Sequence, residues 1–186
     1  EGGGGVSFKA AADVLVGHIE TVIQGDFEAA VQEALALLAS APKIFVYGVG
    51  RSGLVGKAFA MRMVQLGLRV FFIGETITPI VEPGDVVVIV SRTGETMSAI
   101  QTANIVRRVG GHVIAVTAQE GSKLAKASSL VLPIKEPRDR EAPRHAPLGT
   151  LFEESTFVLL DVLISLLMEK LGQTEEDMRG RHAIMV

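Results

Sequence analysis

Two loops that combine glycine with hydroxyl side chains hold most of the residues able to do chemistry. The first, Gly48-Val49-Gly50-Arg51-Ser52-Gly53, follows an apolar run and precedes a helical pattern. Glycines let the backbone come close to a ligand, and the start of a helix offers unpaired N–H groups to an anion. Glu75 stands after a second apolar run, about twenty positions on, which is the context of a dinucleotide-binding fingerprint. The same donors would serve a sugar phosphate, and a tight strand-to-helix turn with no ligand would also need the glycines. The second loop, Ser91-Arg92-Thr93-Gly94-Glu95-Thr96, lies after an unbroken apolar run and again opens a helix. An ordinary helix cap would account for one of its three hydroxyls. Three, with Ser52 from the first loop, suit a phosphomonoester, whereas a dinucleotide reader has no special need of them.

Among acids and bases, Glu153 and Glu154 open a long apolar helical pattern, where a helix dipole would favour them with or without catalysis. His182 lies near the carboxyl end, an ordinary place for a surface residue. His18 falls in a helical pattern and His112 begins a strand, so both read as structural. His145 sits in a charged loop and ranks below His182 as a site residue. Arg51 either binds phosphate or pairs with an acid such as Glu75, and Met61, Met63 and Met97 read as core fillers.

These residues need elements to position them. Val6 to Ala39 is helical in pattern, with a break at Gly25-Asp26. Beyond Pro42, short apolar runs alternate with longer helical ones. Strands are expected at 44–47, 69–73, 86–90, 112–117 and 130–134, with helices after the first, third and fourth. In the helix after the first strand, Val55, Phe59, Met63 and Leu66 share a face. Continuous apolar strands are covered on both faces, and alternation with helices implies crossovers, so the class is α/β with a parallel sheet between helical layers. Lys135 to Leu148 is irregular, and its charges nearly cancel. It reads as a solvated loop or as a flap beside a pocket. A strongly apolar helix follows from Gly149 to Leu171, and its stretch from Leu151 to Met168 predicts a buried interface. Thr174 and Asp177 then have capping-box spacing.

The chain has 186 residues, with Lys+Arg 18 against Asp+Glu 21 and a net charge of −3. That balance gives no basic stripe for nucleic acid. With no cysteine, disulfides, thiolate metal sites and a cysteine nucleophile are excluded. No apolar stretch reaches the ~18 residues of a membrane span. Residues 1–5 read as a disordered leader or an expression scar, and no signal peptide is visible. The expectation is one soluble, cytoplasmic, oligomeric domain over residues 6–186, with 6–40 forming N-terminal helices and 149–186 a helix and tail that complete the site.

Taken together, Gly48 to Gly53, Phe59-Ala60-Met61-Arg62, Gly74-Glu75-Thr76 with Thr78-Pro79, Gly84-Asp85, Ser91 to Thr96, Gly149 to Glu153 and Arg181-His182-Ala183 resemble the sugar isomerase (SIS) domain family. Within it they are most similar to the isomerases that interconvert 3-hexulose 6-phosphate and fructose 6-phosphate in the ribulose monophosphate route of formaldehyde fixation. The resemblance implies a five-stranded parallel sheet, doubly wound, in a homotetramer built from dimers. It implies phosphate capture by Ser52, Ser91, Thr93 and Thr96, with Gly48, Gly50, Arg51 and Arg92 as further substrate contacts. It also implies a catalytic carboxylate at Glu153, His182 as second catalytic group, in its own site or in that of a neighbouring subunit, and no metal or organic cofactor. Relatives usually carry Ser-Gly-Ser-Gly-Glu-Thr where Arg92-Thr93 stand here, and Gln-Pro-Met-Gly where Ala146-Pro147-Leu148-Gly149 stand. Competing functions are an isomerase of arabinose 5-phosphate, a non-catalytic sugar-phosphate sensor, and an NAD-dependent enzyme.

Overall fold

A computed structural model describes residues 5–185. The expected leader lies outside the described residues except for Gly5, as does Val186. Two helices come first, α1 (Phe8–Ile23) and α2 (Glu28–Ser40). Ser7 starts α1 by accepting the backbone N–H of Ala10, and Gly25-Asp26 separates the two as the pattern predicts. The core α/β order is then β1 (Ile44–Gly48), α3 (Gly50–Gln65), β2 (Val70–Phe72), β3 (Val86–Val90), α4 (Met97–Arg108), β4 (His112–Thr117), α5 (Lys123–Lys126) and β5 (Leu130–Pro133). It ends with α6 (Ala142–His145), α7 (Thr150–Lys170) and α8 (Glu175–Gly180).

All five strands are parallel, in the order β2-β1-β3-β4-β5. Strand alternation sends Ile44, Val46, Val86, Val88, Val90, Ile114 and Val116 to one face, under α2, α3 and α7. Phe45, Val87, Ile89, Val113 and Ala115 point to the other, under α4 and α5. Every residue of β3 is buried, which is why its lettering is continuous rather than alternating. β2 is shorter than expected and only half-buried, because it is a sheet edge with one strand neighbour.

Three features depart from the sequence expectation. Helix α3 begins at Gly50, inside the glycine loop, because Gly50 adopts φ +60° and turns the chain straight from strand to helix. The charged segment after β5 contains the one-turn α6, anchored by Ala142 and Ala146 against Leu151 and by Val14 and Leu15 of α1. Most of the apolar length of α7 is used inside the chain, whether or not a second copy covers the rest. Leu151, Phe152, Leu159, Leu160, Leu163, Ile164 and Leu167 are buried, since α1, α2 and α3 all pack on this helix. Exposed apolar side chains stand on α3, at Leu54, Met61 and Val64, and on α7, at Phe157 and Val162. No helix among the described residues is long and apolar enough to cross a membrane.

Candidate functional site

The chain leaves β1 outward to β2 and then crosses back to β3, so the strand order reverses between β1 and β3. Ligands in open α/β sheets bind outside the carboxyl ends of the strands at that switch point. A cleft of about 150 Å³ lies there, lined by Val49 and Ser52 from the first loop and by Val90, Ser91, Arg92, Thr93, Thr96 and Ala99 from the second. All four hydroxyls singled out for a phosphate therefore share one cavity, although Ser52 is 39 or more positions from the others in the chain. The Ser91 and Thr96 hydroxyls stand 3.4 Å apart.

The electrostatics of this cleft come from its helices. Neither α3 nor α4 has a side-chain cap or an acid in its first turn. Their leading N–H groups and positive dipole ends are left for a ligand. Helix α8 is the opposite case, with a full capping box at Thr174 and Asp177 and three acids in its first turn.

The loop that carries Ser91 to Thr96 is held from behind. Gly94 adopts φ +63°, and a Cβ on it would stand 2.0 Å from the hydroxyl of Ser122, so no other residue fits. Glu95 faces away from the cleft. It accepts the backbone N–H of Lys123 at 3.0 Å and pairs with its ammonium at 3.0 Å. These two contacts, the backbone one first, hold the Glu95 carboxyl below its ordinary range. Thr117 donates its hydroxyl to the carbonyl of Arg92 at 3.2 Å. Gly48 and Gly50 shape the first turn rather than line the cavity.

Arg92 lies between two acids. Its Nε donates to Glu136 at 2.8 Å, and this bond, followed by the charges of Glu136 and Glu153, raises its already high pKa. Glu136 is the residue the sequence reading passed over. As the first acid after β5, it ties the charged segment to the cleft and fixes a cation at its wall. Gly149 separates Arg92 from Glu153: a Cβ there would stand 3.1 Å from both Arg92 Cδ and Glu153 Oε1. The absent side chain lets the first turn of α7 bring the Glu153 carboxylate close to Arg92 at the wall of the cleft.

Arg51 completes the group from the α3 side. Its Nε donates to Glu153 Oε2 at 2.5 Å, and its Nη2 stands 3.6 Å from Glu154. Glu75, the acid the sequence offered as partner, pairs instead with Lys57 at 3.3 Å. The acid at the dinucleotide-like spacing thus stands in an exposed ion pair on the α3 side.

His182 is not part of this group within one chain. It lines a separate cleft with Arg62, Gln65, Glu175, Met178 and Arg179, and Arg181 beside it donates to the carbonyl of Gln65 at 3.0 Å. Gln65 ends α3, and the rise along that helix from Ser52 is about 20 Å. His18 is buried in α1 and its Nε2 has no partner among the described residues; His145 Nδ1 is in the same condition.

The family model for the SIS domain matches residues 37–163, which spans both loops, the whole sheet and Glu153. The chain belongs to the SIS domain family. A relative of this SIS domain from Archaeoglobus fulgidus is 40% identical over 159 residues, 83% of this chain and 87% of its own length. The 3-hexulose-6-phosphate isomerase of Bacillus subtilis is 38% identical over 148 residues, 77% of this chain and 80% of its own. A solved structure from Methanococcus jannaschii, reported as inferring a molecular function of 3-hexulose-6-phosphate isomerase, is 28% identical with a TM-score of 0.83. It covers 95% of this chain and 97% of that one. Such SIS domains share the five-stranded parallel sheet described above.

Proposed function

We propose that this SIS domain is a cytoplasmic isomerase that interconverts D-arabino-3-hexulose 6-phosphate and fructose 6-phosphate through an enediol, in the ribulose monophosphate route of formaldehyde fixation. The observation that carries it is the placement of the Glu153 carboxylate beside a hydroxyl-lined, dipole-positive cleft sized for one phosphate. The names of the related isomerases support the choice of sugar.

The 6-phosphate enters between Ser52, Ser91, Thr93 and Thr96, with Arg92 as a charge at the wall. Glu153 removes the C2 proton of the 3-ketose, leaving an enediol across C2 and C3. The proton returns at C3, while a second group passes the hydroxyl proton from O2 to O3. One carboxylate able to retain its proton serves both carbons. The reaction moves protons only, so no hydride acceptor takes part.

His182 is the second group, and a neighbouring subunit supplies it. The exposed apolar side chains of α3, Leu54, Met61 and Val64, favour pairing of two copies about a two-fold axis with their α3 helices antiparallel. That arrangement lays the carboxyl end of one α3, where His182 sits, over the amino end of the other, where Ser52 and Arg51 sit. Two such pairs give the tetramer.

The test is a coupled assay. Ribulose 5-phosphate, formaldehyde and a hexulose phosphate synthase generate the 3-ketose, and fructose 6-phosphate formation is read through an NADP-linked step. Wild type turns over, and Glu153→Gln loses about 10²–10⁴-fold in kcat. Absence of turnover in a wild-type protein that still binds fructose 6-phosphate would overturn the isomerase in favour of a sensor.

A further inference from the structure

We propose that Arg51 masks the catalytic carboxylate when the site is empty, and that capture of the substrate phosphate draws it away. The inference rests on Glu153 being the base, and adds the device that makes it available only when substrate is bound.

One of the two oxygens of Glu153 is not free to accept a proton in this structure. It receives Arg51 Nε at 2.5 Å. A carboxylate that accepts so short a charged hydrogen bond has that lone pair directed at nitrogen and its charge shared with a cation. Both properties oppose abstraction of a proton from carbon. That oxygen is freed for the substrate only when the partner moves.

Arg51 is built to move and Glu153 is not. The arginine side chain is 61% exposed and the glutamate 12%. The guanidinium sits on a long flexible stem at the edge of the site, whereas the carboxylate is fixed at the first turn of α7. Glu154, about half exposed, holds Nη2 more loosely at 3.6 Å, a pivot about which Nε can swing. Arg51 is also the residue next to Ser52, whose side chain lines the phosphate cleft. A phosphate dianion there concentrates on one group as much charge as Glu153 and Glu154 carry together. It competes for a guanidinium whose planar donors suit phosphate as well as carboxylate. Binding energy from the non-reacting end of the substrate is thereby spent at the reacting end.

The charge pattern supports the exchange. Arg92, on the opposite wall, stays with Glu136 at 2.8 Å, so the cleft keeps one fixed cation while the other moves. An empty site holds Arg51 against Glu153 and Glu154; an occupied one holds it against the phosphate and leaves Glu153 facing the sugar.

The experiment follows the Arg51 Nε–H signal in a proton–nitrogen spectrum of the full chain, assigned by its loss in Arg51→Gln. Without ligand the signal is displaced from those of exposed arginines, and Glu153→Gln abolishes the displacement. Saturating inorganic phosphate or fructose 6-phosphate, with occupancy read from the backbone amides of Ser52 and Thr93, moves the signal in wild type. An Arg51 signal that stays at its ligand-free position while those amides shift overturns the proposal. Amides that do not shift with either ligand overturn the phosphate site beneath it. In the isomerase assay, Arg51→Gln raises KM about tenfold, with the loss borne by KM rather than kcat. A fall in kcat as deep as that of Glu153→Gln, at unchanged KM, shows instead that Arg51 acts in the chemical step. If Glu153→Gln retains full turnover, the base assignment fails, whatever Arg51 does.

Discussion

The carbonyl oxygen of Gly48 lies 2.4 Å from the position that a Cβ on Gly53 would occupy. The end of β1 and the first turn of α3 are in direct backbone contact, and this contact sets where Ser52 and Arg51 emerge. An alanine at position 53 therefore pushes the helix start off the strand. Gly50 differs: its φ of +60° disfavours a side chain, yet a Cβ would have no neighbour within 4 Å. Gly53→Ala should lower stability by about 1–3 kcal/mol through overpacking and weaken fructose 6-phosphate binding as well. Gly50→Ala should cost only the ~1–2 kcal/mol of a left-handed residue. Urea midpoints and calorimetric titrations of the two variants measure both effects. A Gly53→Ala protein with the wild-type midpoint and affinity would show that the close contact does not position the site.

Much of this architecture was legible because it rests on local physics. The unbroken apolar run of β3 announces a strand buried on both faces, and Thr174 with Asp177 announces the capping box found at α8. The two loops could be assigned to one crevice because a parallel α/β sheet puts all its strand-to-helix turns at the same end.

What the sequence did not reveal depends on contacts between distant segments. No local pattern pairs Arg51 with Glu153 or Arg92 with Glu136, and near-cancelling charges made residues 135–148 look unattached. Helix α7 is only partly legible for a related reason. Its apolar length states how much surface is buried but not against what, and here three other helices of the same chain cover it. The placement of His182 about 20 Å of helix from Ser52 is likewise invisible in a linear motif.

His18 makes stability depend on pH. Burial lowers its pKa below the ordinary 6.5, against a smaller opposing effect from Glu136, and its Nε2 has no partner among the described residues. Below that ordinary value the unfolded chain takes up a proton that the folded chain resists. The stability associated with neutral His18 is thus full above pH 6.5 and declines as pH falls toward the lowered native value. The urea midpoint should drop between about pH 7.5 and about pH 5.5, and His18→Leu should flatten that drop while leaving the midpoint at the higher pH little changed. An equal slope in the variant would assign the pH dependence to other groups.

The separation of His182 from Glu153 within one chain makes a sharper prediction about assembly. Neither Glu153→Gln nor His182→Gln alone should turn over efficiently. In a mixed pair, one of the two sites would join the altered carboxylate to the altered imidazole, and the other would join an intact Glu153 to an intact His182. Unfolding the two variants together and refolding them as a mixture should therefore recover about one quarter of wild-type activity, since about half of the pairs are mixed and each carries one whole site. The same two proteins refolded separately and then combined should begin near zero and rise only as fast as subunits exchange. If both groups acted from the same chain, every site in every pair would lack one of them, and co-refolding would restore nothing.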